Sequence, residues 1–256
     1  MNKKAIIIIS TLVLISLVLT VRVIRVHQKE QKRISSLPKI AIVLDDWGYN
    51  TNNIDLLNSI DAPLNISILP NLTFSKAIAS TVSRRDDRQV LLHMLMEPES
   101  NQIMLEDNTL LTSMDAATIN KLIDKALDTV ENAKGISSHM GSKATQDSRL
   151  MGSVMDSAKL NNLYFLDSKS TLYSVAEEKA KGRVPYIERD VFLDNDSNKE
   201  YINKQFDILI ERAKLQGYAI GIGHDKVNTL EVLANRIPEV KDIDIEFVLV
   251  SELIER

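Results

Sequence analysis

Lys39-Ile40-Ala41-Ile42-Val43-Leu44-Asp45-Asp46-Trp47-Gly48 is the stretch from which the fold is read. Five apolar residues, Ile40 to Leu44, run without interruption and are rich in Ile and Val. A short continuous run of this kind predicts a strand buried on both faces, as in a parallel sheet. The interior of such a strand does not accommodate two charges, so Asp45 and Asp46 are expected at its C-terminal end, where the chain leaves the core. In α/β folds that end is where ligands bind. Side chains alternate along a strand, which assigns the two aspartates different tasks. The plain alternative is a turn, since Asp-Asp-x-Gly is also ordinary loop chemistry.

The same pattern repeats outward from this stretch. Strands are expected at Ile40–Leu44, Leu64–Leu69, Gln89–Leu92, Gly135–Ser138, Leu163–Leu166, Val191–Leu193, Tyr218–Ile222 and Ile245–Val250. Between them lie amphipathic stretches. Ala116–Ala133 places Ile119, Leu122, Ile123, Ala126, Leu127 and Val130 at helical spacing, and Glu200–Gln216 does the same with Ile202, Phe206, Leu209, Ile210 and Ala213. Strands alternating with helices over a chain of 256 residues predict a distorted or incomplete (β/α) barrel. Met94–Thr112, the longest stretch without a pattern, follows a strand end and is expected to be a loop covering a site.

The N-terminus reads differently. Ala5 to Val21 is an uncharged run of roughly 17 residues with Lys3 and Lys4 before it and no small-residue cleavage site after it. It predicts an uncleaved membrane-anchor helix. Residues 22–37 are polar and read as a tether, with His27 inert, so the domains are expected at 1–37 and 38–256. Lys3 and Lys4 favour a cytoplasmic N-terminus, whereas Arg22, Arg25, Lys29, Lys32 and Arg33 oppose it. The net charge of −4 gives no case for nucleic acid. The chain has no cysteine, so a metal would have to use His, Asp and Glu.

The remaining histidines, His93, His139 and His224, each follow an expected strand. In a parallel barrel those ends open on one face, so they would converge with Asp45 and Asp46. Any one strand-end histidine is ordinarily structural; three of three beside an Asp pair argue for a site. Asp167 and Asp194 also follow strands and read equally as site residues or helix caps. Asp190 lies beside Arg189 in the same region, and Gly221 and Gly223 suggest close backbone approach to a ligand. Two imidazoles and a carboxylate suit a divalent cation, zinc above all. A spare Asp and His would serve as base and acid for hydrolysis of an amide or ester. There is no Gly-x-Ser-x-Gly, phosphate loop, dinucleotide fingerprint or His-Glu-x-x-His.

Leu44-Asp45-Asp46-Trp47-Gly48, Leu92-His93-Met94-Leu95-Met96-Glu97-Pro98, Ser138-His139-Met140-Gly141-Ser142, Phe165-Leu166-Asp167-Ser168, Arg189-Asp190-Val191-Phe192-Leu193-Asp194 and Ile222-Gly223-His224 occur in this order. The series resembles the divergent polysaccharide deacetylase family over about residues 38–256. The resemblance implies a distorted (β/α) barrel, a bacterial envelope location and removal of acetyl groups from an envelope polysaccharide or peptidoglycan. It further implies Asp45 as catalytic base, Asp46 as metal ligand and His224 as general acid. His93 and His139 complete the metal set from separate strands, because the His-x-x-x-His motif of the wider superfamily is absent. Asp167, Arg189, Asp190 and Asp194 fall to substrate binding. Ser138 and Asp225 stand where the divergent branch often has Asn and Pro. The expected partners are an acetylated envelope glycan and, through the N-terminal helix, the bacterial inner membrane, with the domain outside the cytoplasm. The competing expectation is a non-catalytic envelope protein that binds glycan or a partner protein on the same fold.

Overall fold

The structure, a computed structural model, describes residues 16–17, 19–25, 37–102, 104–241 and 244–254. They fall into two units, 1–37 and 38–256. In the first, residues 16–17 and 19–25 are helical; most of the expected anchor Ala5–Val21, and His27, lie outside the described residues. Among the described residues, no helix is long and apolar enough to cross a membrane.

The second unit is built on a parallel sheet of nine strands: β1 (Lys39–Trp47), β2 (Leu64–Ile68), β3 (Arg88–Met96), β4 (Gly135–Met140), β5 (Tyr164–Asp167), β6 (Tyr186–Glu188), β7 (Val191–Phe192), β8 (Tyr218–His224) and β9 (Glu246–Phe247). The order is β6-β5-β4-β3-β2-β1-β8-β7, with β9 beside the start of β1. The sheet curls into a half-barrel. The helices that follow the strands are α1 (Ile54–Ser59), α2 (Ser75–Val82), α3 (Ala116–Leu127), α4 (Ser148–Leu160), α5 (Ala176–Ala180), α6 (Lys199–Gln216), α7 (Val227–Lys241) and α8 (Ser251–Ile254).

Alternation along the strands divides the buried apolar residues into two layers. Ile40, Ile42, Leu44, Ile66, Leu92 and Phe165 face outward and pack under the helices with residues such as Ile123, Val154 and Phe206. Ala41, Val43, Leu91, Tyr164, Leu166, Ile220 and Ile222 line the inside, where Val248, Val250 and Leu253 join them. The C-terminal segment thus fills the lower interior. Asn65 ties it in place: its Nδ2 donates to Ile42 O at 2.9 Å and its Oδ1 accepts from Val250 N at 2.9 Å.

Several boundaries differ from the sequence reading. β6, a three-residue strand at the sheet edge directly after Pro185, was not expected. Of Ile245–Val250 only Glu246–Phe247 is strand, because two residues suffice to pair with Lys39 and Ile40. Met94–Met96 belong to β3, where neighbours in β4 keep the ladder going. Leu110 then pairs back onto Met96, tethering the loop. Gly221 and Gly223 serve the outer layer rather than a ligand. A Cβ at Gly221 would lie 2.6 Å from Leu209 Cδ2, and one at Gly223 2.8 Å from Thr229 Cγ2, so these glycines let α6 and α7 approach the sheet.

Candidate metal and acid–base site

The strands run further than their apolar cores, and their last residues carry the ionisable groups. Asp45 and Asp46 lie at the C-terminal end of β1, as expected, with Asp45 paired opposite His224 of β8. Asp45 is 2% exposed. Two residues further along the inward-facing line, Val43 gives way to Asp45, Leu91 to His93 and Ile222 to His224. One pleat step converts a hydrocarbon interior into a polar one.

The two aspartates do not point opposite ways as alternation predicts. The β1–β2 register passes from Leu44↔Ile66 to Trp47↔Ile68, so Asp45 and Asp46 together stand against Ser67 alone. This is a β-bulge, and Asp46 takes φ +67° within it, a left-handed conformation that Asp tolerates better than most residues. Both carboxylates consequently reach one imidazole. His93 Nε2 lies 3.7 Å from Asp45 Oδ2 and 3.3 Å from Asp46 Oδ1.

His139, from β4, closes the group. Its Nδ1 is 2.9 Å from Asp46 Oδ1 and 3.3 Å from His93 Nε2. Asp46 Oδ1 is buried yet has no partner in hydrogen-bonding geometry. Two imidazole nitrogens therefore converge on one carboxylate oxygen. Donor atoms around an ion at about 2.0–2.1 Å stand about 2.9–3.4 Å apart, which is the spacing found here. Asp46, His93 and His139 fit a divalent cation. The electrostatics agree. Burial pulls the His93 pKa down, but the neighbouring Asp45 and Asp46 outweigh it and raise it. Burial pushes Asp46 up, but the approach of His139 and His93 carries it well below the usual carboxylate range. The carboxylate pair calls for positive charge, from protons or from a metal.

On the other flank, His224 Nδ1 meets Asp194 Oδ1 at 2.6 Å. Asp194 is fully buried, and its Oδ2 accepts from His224 N at 2.9 Å and Thr229 Oγ1 at 2.7 Å. It is thus a second-layer partner of His224 and caps no helix; Asn198 caps α6. Burial lowers His224, while the hydrogen bond and charge of Asp194 raise it more, for a net upward shift. Asp45 is raised by burial, against the pull of His93 and His224. Phe192 stacks on His224 with ring centroids 6.1 Å apart, and Arg189 lies over Phe192 at 3.8 Å.

Of the residues expected to bind substrate, Asp194 and Arg189 join this cluster and two do not. Asp167 spends its oxygens on Lys169 N, Ser174 Oγ and Tyr186 OH, clamping the loop after β5. Asp190 accepts from Ile220 N at 2.8 Å, four residues below His224, and faces Arg212 of α6. The loop beyond β3 does reach the site: Met104, Leu105 and Glu106 line a small hollow with His139 and Met140, and the Tyr49 hydroxyl donates to Glu106. A larger cavity of about 520 Å³ opens at the opposite end of the strands, around Gln89, Lys134 and Tyr164, and none of the candidate residues lines it. Sequence reasoning missed Ser67, Ser137 and Phe192. The serines were signalled by polar residues at alternate positions of apolar strands, in Asn65-Ile66-Ser67 and Ser137-Ser138-His139.

A curled parallel barrel with an Asp-His-His cluster at its strand ends defines a deacetylase-like α/β protein. The chain belongs to the divergent polysaccharide deacetylase family, whose model matches residues 42–254. It is 36% identical over 217 residues to the uncharacterized protein YibQ of Escherichia coli K12, covering 84% of this chain and 67% of that one. Among solved structures, an uncharacterized protein from Agrobacterium tumefaciens C58 superposes with TM-score 0.80 at 22% identity, over 85% of this chain and 89% of that one. A T48 deacetylase with substrate superposes with TM-score 0.55 at 16% identity, over 86% and 92%. At these identities the structural likenesses establish the fold.

Proposed function

We propose that the protein is a metal-dependent hydrolase that removes acetyl groups from an envelope polysaccharide or peptidoglycan. The observation that carries the reading is the convergence of Asp46 Oδ1, His93 Nε2 and His139 Nδ1 to within 3.3 Å of one another. These three residues would hold a divalent cation, zinc being the best match to two imidazoles and a carboxylate. A bound divalent ion supplies Lewis acidity to a carbonyl oxygen and acidifies water.

The chain's own residues supply the proton transfers. Asp45, with its pKa raised by burial, takes a proton from the attacking water as the new carbon–oxygen bond forms. His224 has Nδ1 committed to Asp194, which leaves Nε2 to deliver a proton to the departing amine or alcohol as the bond to the acetyl carbon breaks. Acetate and the deacetylated sugar are the products. Phe192 and Arg189 offer a flat face beside His224 for a sugar ring. We place the chain at the bacterial inner membrane through the segment 5–21, with the barrel outside the cytoplasm, where such glycans occur.

The test is acetate release from N- and O-acetylated glycan oligomers by purified protein, before and after chelation and zinc return. Release that is lost on chelation and regained with zinc is expected. Protein that keeps no stoichiometric metal and releases no acetate, yet binds glycan, would favour the binding-protein alternative. A reporter fused after Arg256 and active only in the cytoplasm would contradict the placement.

A further inference from the structure

The recess at the N-terminal ends of the strands has the volume of a small-molecule pocket, about 520 Å³. Three cations from three elements line it. Lys134 precedes β4, Lys159 lies in the last turn of α4, and Arg183 stands between α5 and β6. No acidic side chain lines it, although the whole chain has a net charge of −4. Arg183 Nη1 is paired with Asp156 Oδ1 at 2.8 Å. Lys134 and Lys159 make no ion pair among the described residues.

The deepest part of the recess is polar. Tyr164 and Gln89 are 5% and 7% exposed. The Tyr164 hydroxyl donates to Gln89 Oε1 at 2.7 Å, and Gln89 Nε2 donates to Ser251 Oγ at 2.7 Å. Burial pushes the Tyr164 pKa up, so its hydroxyl keeps its proton. The two hydroxyls bring two protons, and their bonds to the amide use only one of them. With the amide in this orientation, the Ser251 proton is left over. With the amide reversed, Ser251 donates to it and the Tyr164 proton is left over. Either way, a hydroxyl proton remains at the floor without an acceptor among the described residues. Leu163, Val184 and Ile254 complete the lining with apolar surface.

Donors and positive charge select an anion, and the charge balance selects its kind. Asp156 offsets one of the three cations and leaves two. A carboxylate would balance one of these. A phosphate monoester carries about −1.5 to −2 charges at neutral pH, which balances both, and it has oxygens to accept from the floor as well. We propose that the recess is a second binding site, for a phosphate monoester on a small body, with Lys134, Lys159 and Arg183 around the phosphate. His139 lies about 16 Å further along β4 than Lys134. A ligand in the recess therefore does not meet the acid–base site, and the proposal rests on none of the residues there.

Calorimetric titration of the full-length protein with glycerol 3-phosphate tests this, with glycerol and acetate as controls. Saturable binding of glycerol 3-phosphate alone is expected. Lys159→Gln should weaken it roughly tenfold, the loss expected of one hydrogen bond to a charged group, and Lys159→Arg should restore most of it. Ser251→Ala removes no charge and should still weaken binding several-fold. Lys214→Gln, in the last turn of α6 and outside the recess, should bind as wild type does. Equal weakening in Lys159→Gln and Lys214→Gln would mean diffuse surface charge and would overturn the site. Acetate bound as tightly as glycerol 3-phosphate would overturn it too, as would binding unchanged in both Lys159→Gln and Ser251→Ala. Dihexanoyl phosphatidic acid distinguishes the sources of the phosphate. Tighter binding than glycerol 3-phosphate supports the site as one for a lipid headgroup, and equal or weaker binding supports it as one for a soluble ester. No saturable binding of either phosphate overturns it.

Discussion

The lower and upper halves of the barrel interior are built by the same strands facing the same way, and they have opposite chemistry. The lower half is hydrocarbon, with Val43, Leu91, Leu166, Ile220 and Ile222 closed from below by Val248, Val250 and Leu253. The upper half, one pleat step along, holds Asp45, His93, Ser137 and the ring of His224. Burial of apolar area in the lower half stabilises the fold. The upper half costs stability, because it buries carboxylate oxygens that lack hydrogen-bond partners. The site is a polar cap on a stable barrel. Changes above should alter chemistry and metal binding with little loss of stability, and changes below should do the reverse.

The largest effect should come from Asp46→Ala. It removes the oxygen shared by both imidazoles, so stoichiometric metal and detectable turnover should both vanish, while the thermal midpoint falls only slightly, since the left-handed φ suits Ala less than Asp. Metal analysis with a melting curve checks this. Retained metal would mean that the polar cap holds its ion without Asp46. Asp45→Asn should come next. The amide cannot take a proton, and loss of a general base typically costs about 10²–10⁴-fold in rate; metal should remain. The bulge tempers the separation of the two roles, since both carboxylates face His93, and equal metal loss in both variants would assign them one role.

Asp194→Asn should have a smaller effect, legible in the pH profile. Asp194 is the main upward influence on His224, whose pKa is raised. A general acid works below its pKa and fails as pH rises through it. Without the Asp194 charge the His224 pKa falls, so the alkaline limb of the rate profile should move to lower pH. An unmoved limb would remove His224 as the acid.

Much of this was legible in the sequence because period and chemistry reinforce each other. Ile40–Leu44 with Asp45 and Asp46 after it marked a buried strand and its functional end, and every expected strand exists at least in part. What the sequence concealed depends on register. The bulge at Asp46 is a relation between β1 and β2, and no local signal in Leu44-Asp45-Asp46-Trp47 distinguishes it from a turn. The place of Ser67, against both aspartates, follows from the same register. Asp167 and Asp194 both sit in Leu-Asp at a strand end, yet one clamps a loop and the other holds His224. The difference lies in what stands across from them, Ser174 and Tyr186 in one case and the end of β8 in the other. Gly221 and Gly223 misled for a similar reason: a missing side chain signals close approach without saying from which side.

Two further changes lie away from the ionisable cluster, one in the lower interior and one at the rim. Leu253→Ala opens the floor of the lower interior, where Leu253 is 7% exposed. Truncating a buried Leu costs about 2–5 kcal/mol, and the slight exposure favours the low end. Urea unfolding should show that loss with metal stoichiometry unchanged.

The smallest effect is expected at the rim. Asp147 precedes α4, and its Oδ1 accepts from Arg149 N at 3.0 Å and Leu150 N at 2.7 Å. Those are two of the helix-terminal N–H groups that have no carbonyl partner within the helix. Asp147→Ala should therefore cost about 1 kcal/mol, as N-cap losses typically do. The helix start follows directly on the turn after His139, so a site held by its loops would transmit this loosening to the imidazole and weaken zinc binding. His139 is instead fixed within β4, where Leu95 of β3 stands opposite it. Zinc affinity should then match wild type while the urea midpoint falls slightly. A parallel drop in affinity would mean that the upper half is built by its loops as much as by its strands, and the division of the barrel into a stable floor and a strand-mounted cap would have to be redrawn.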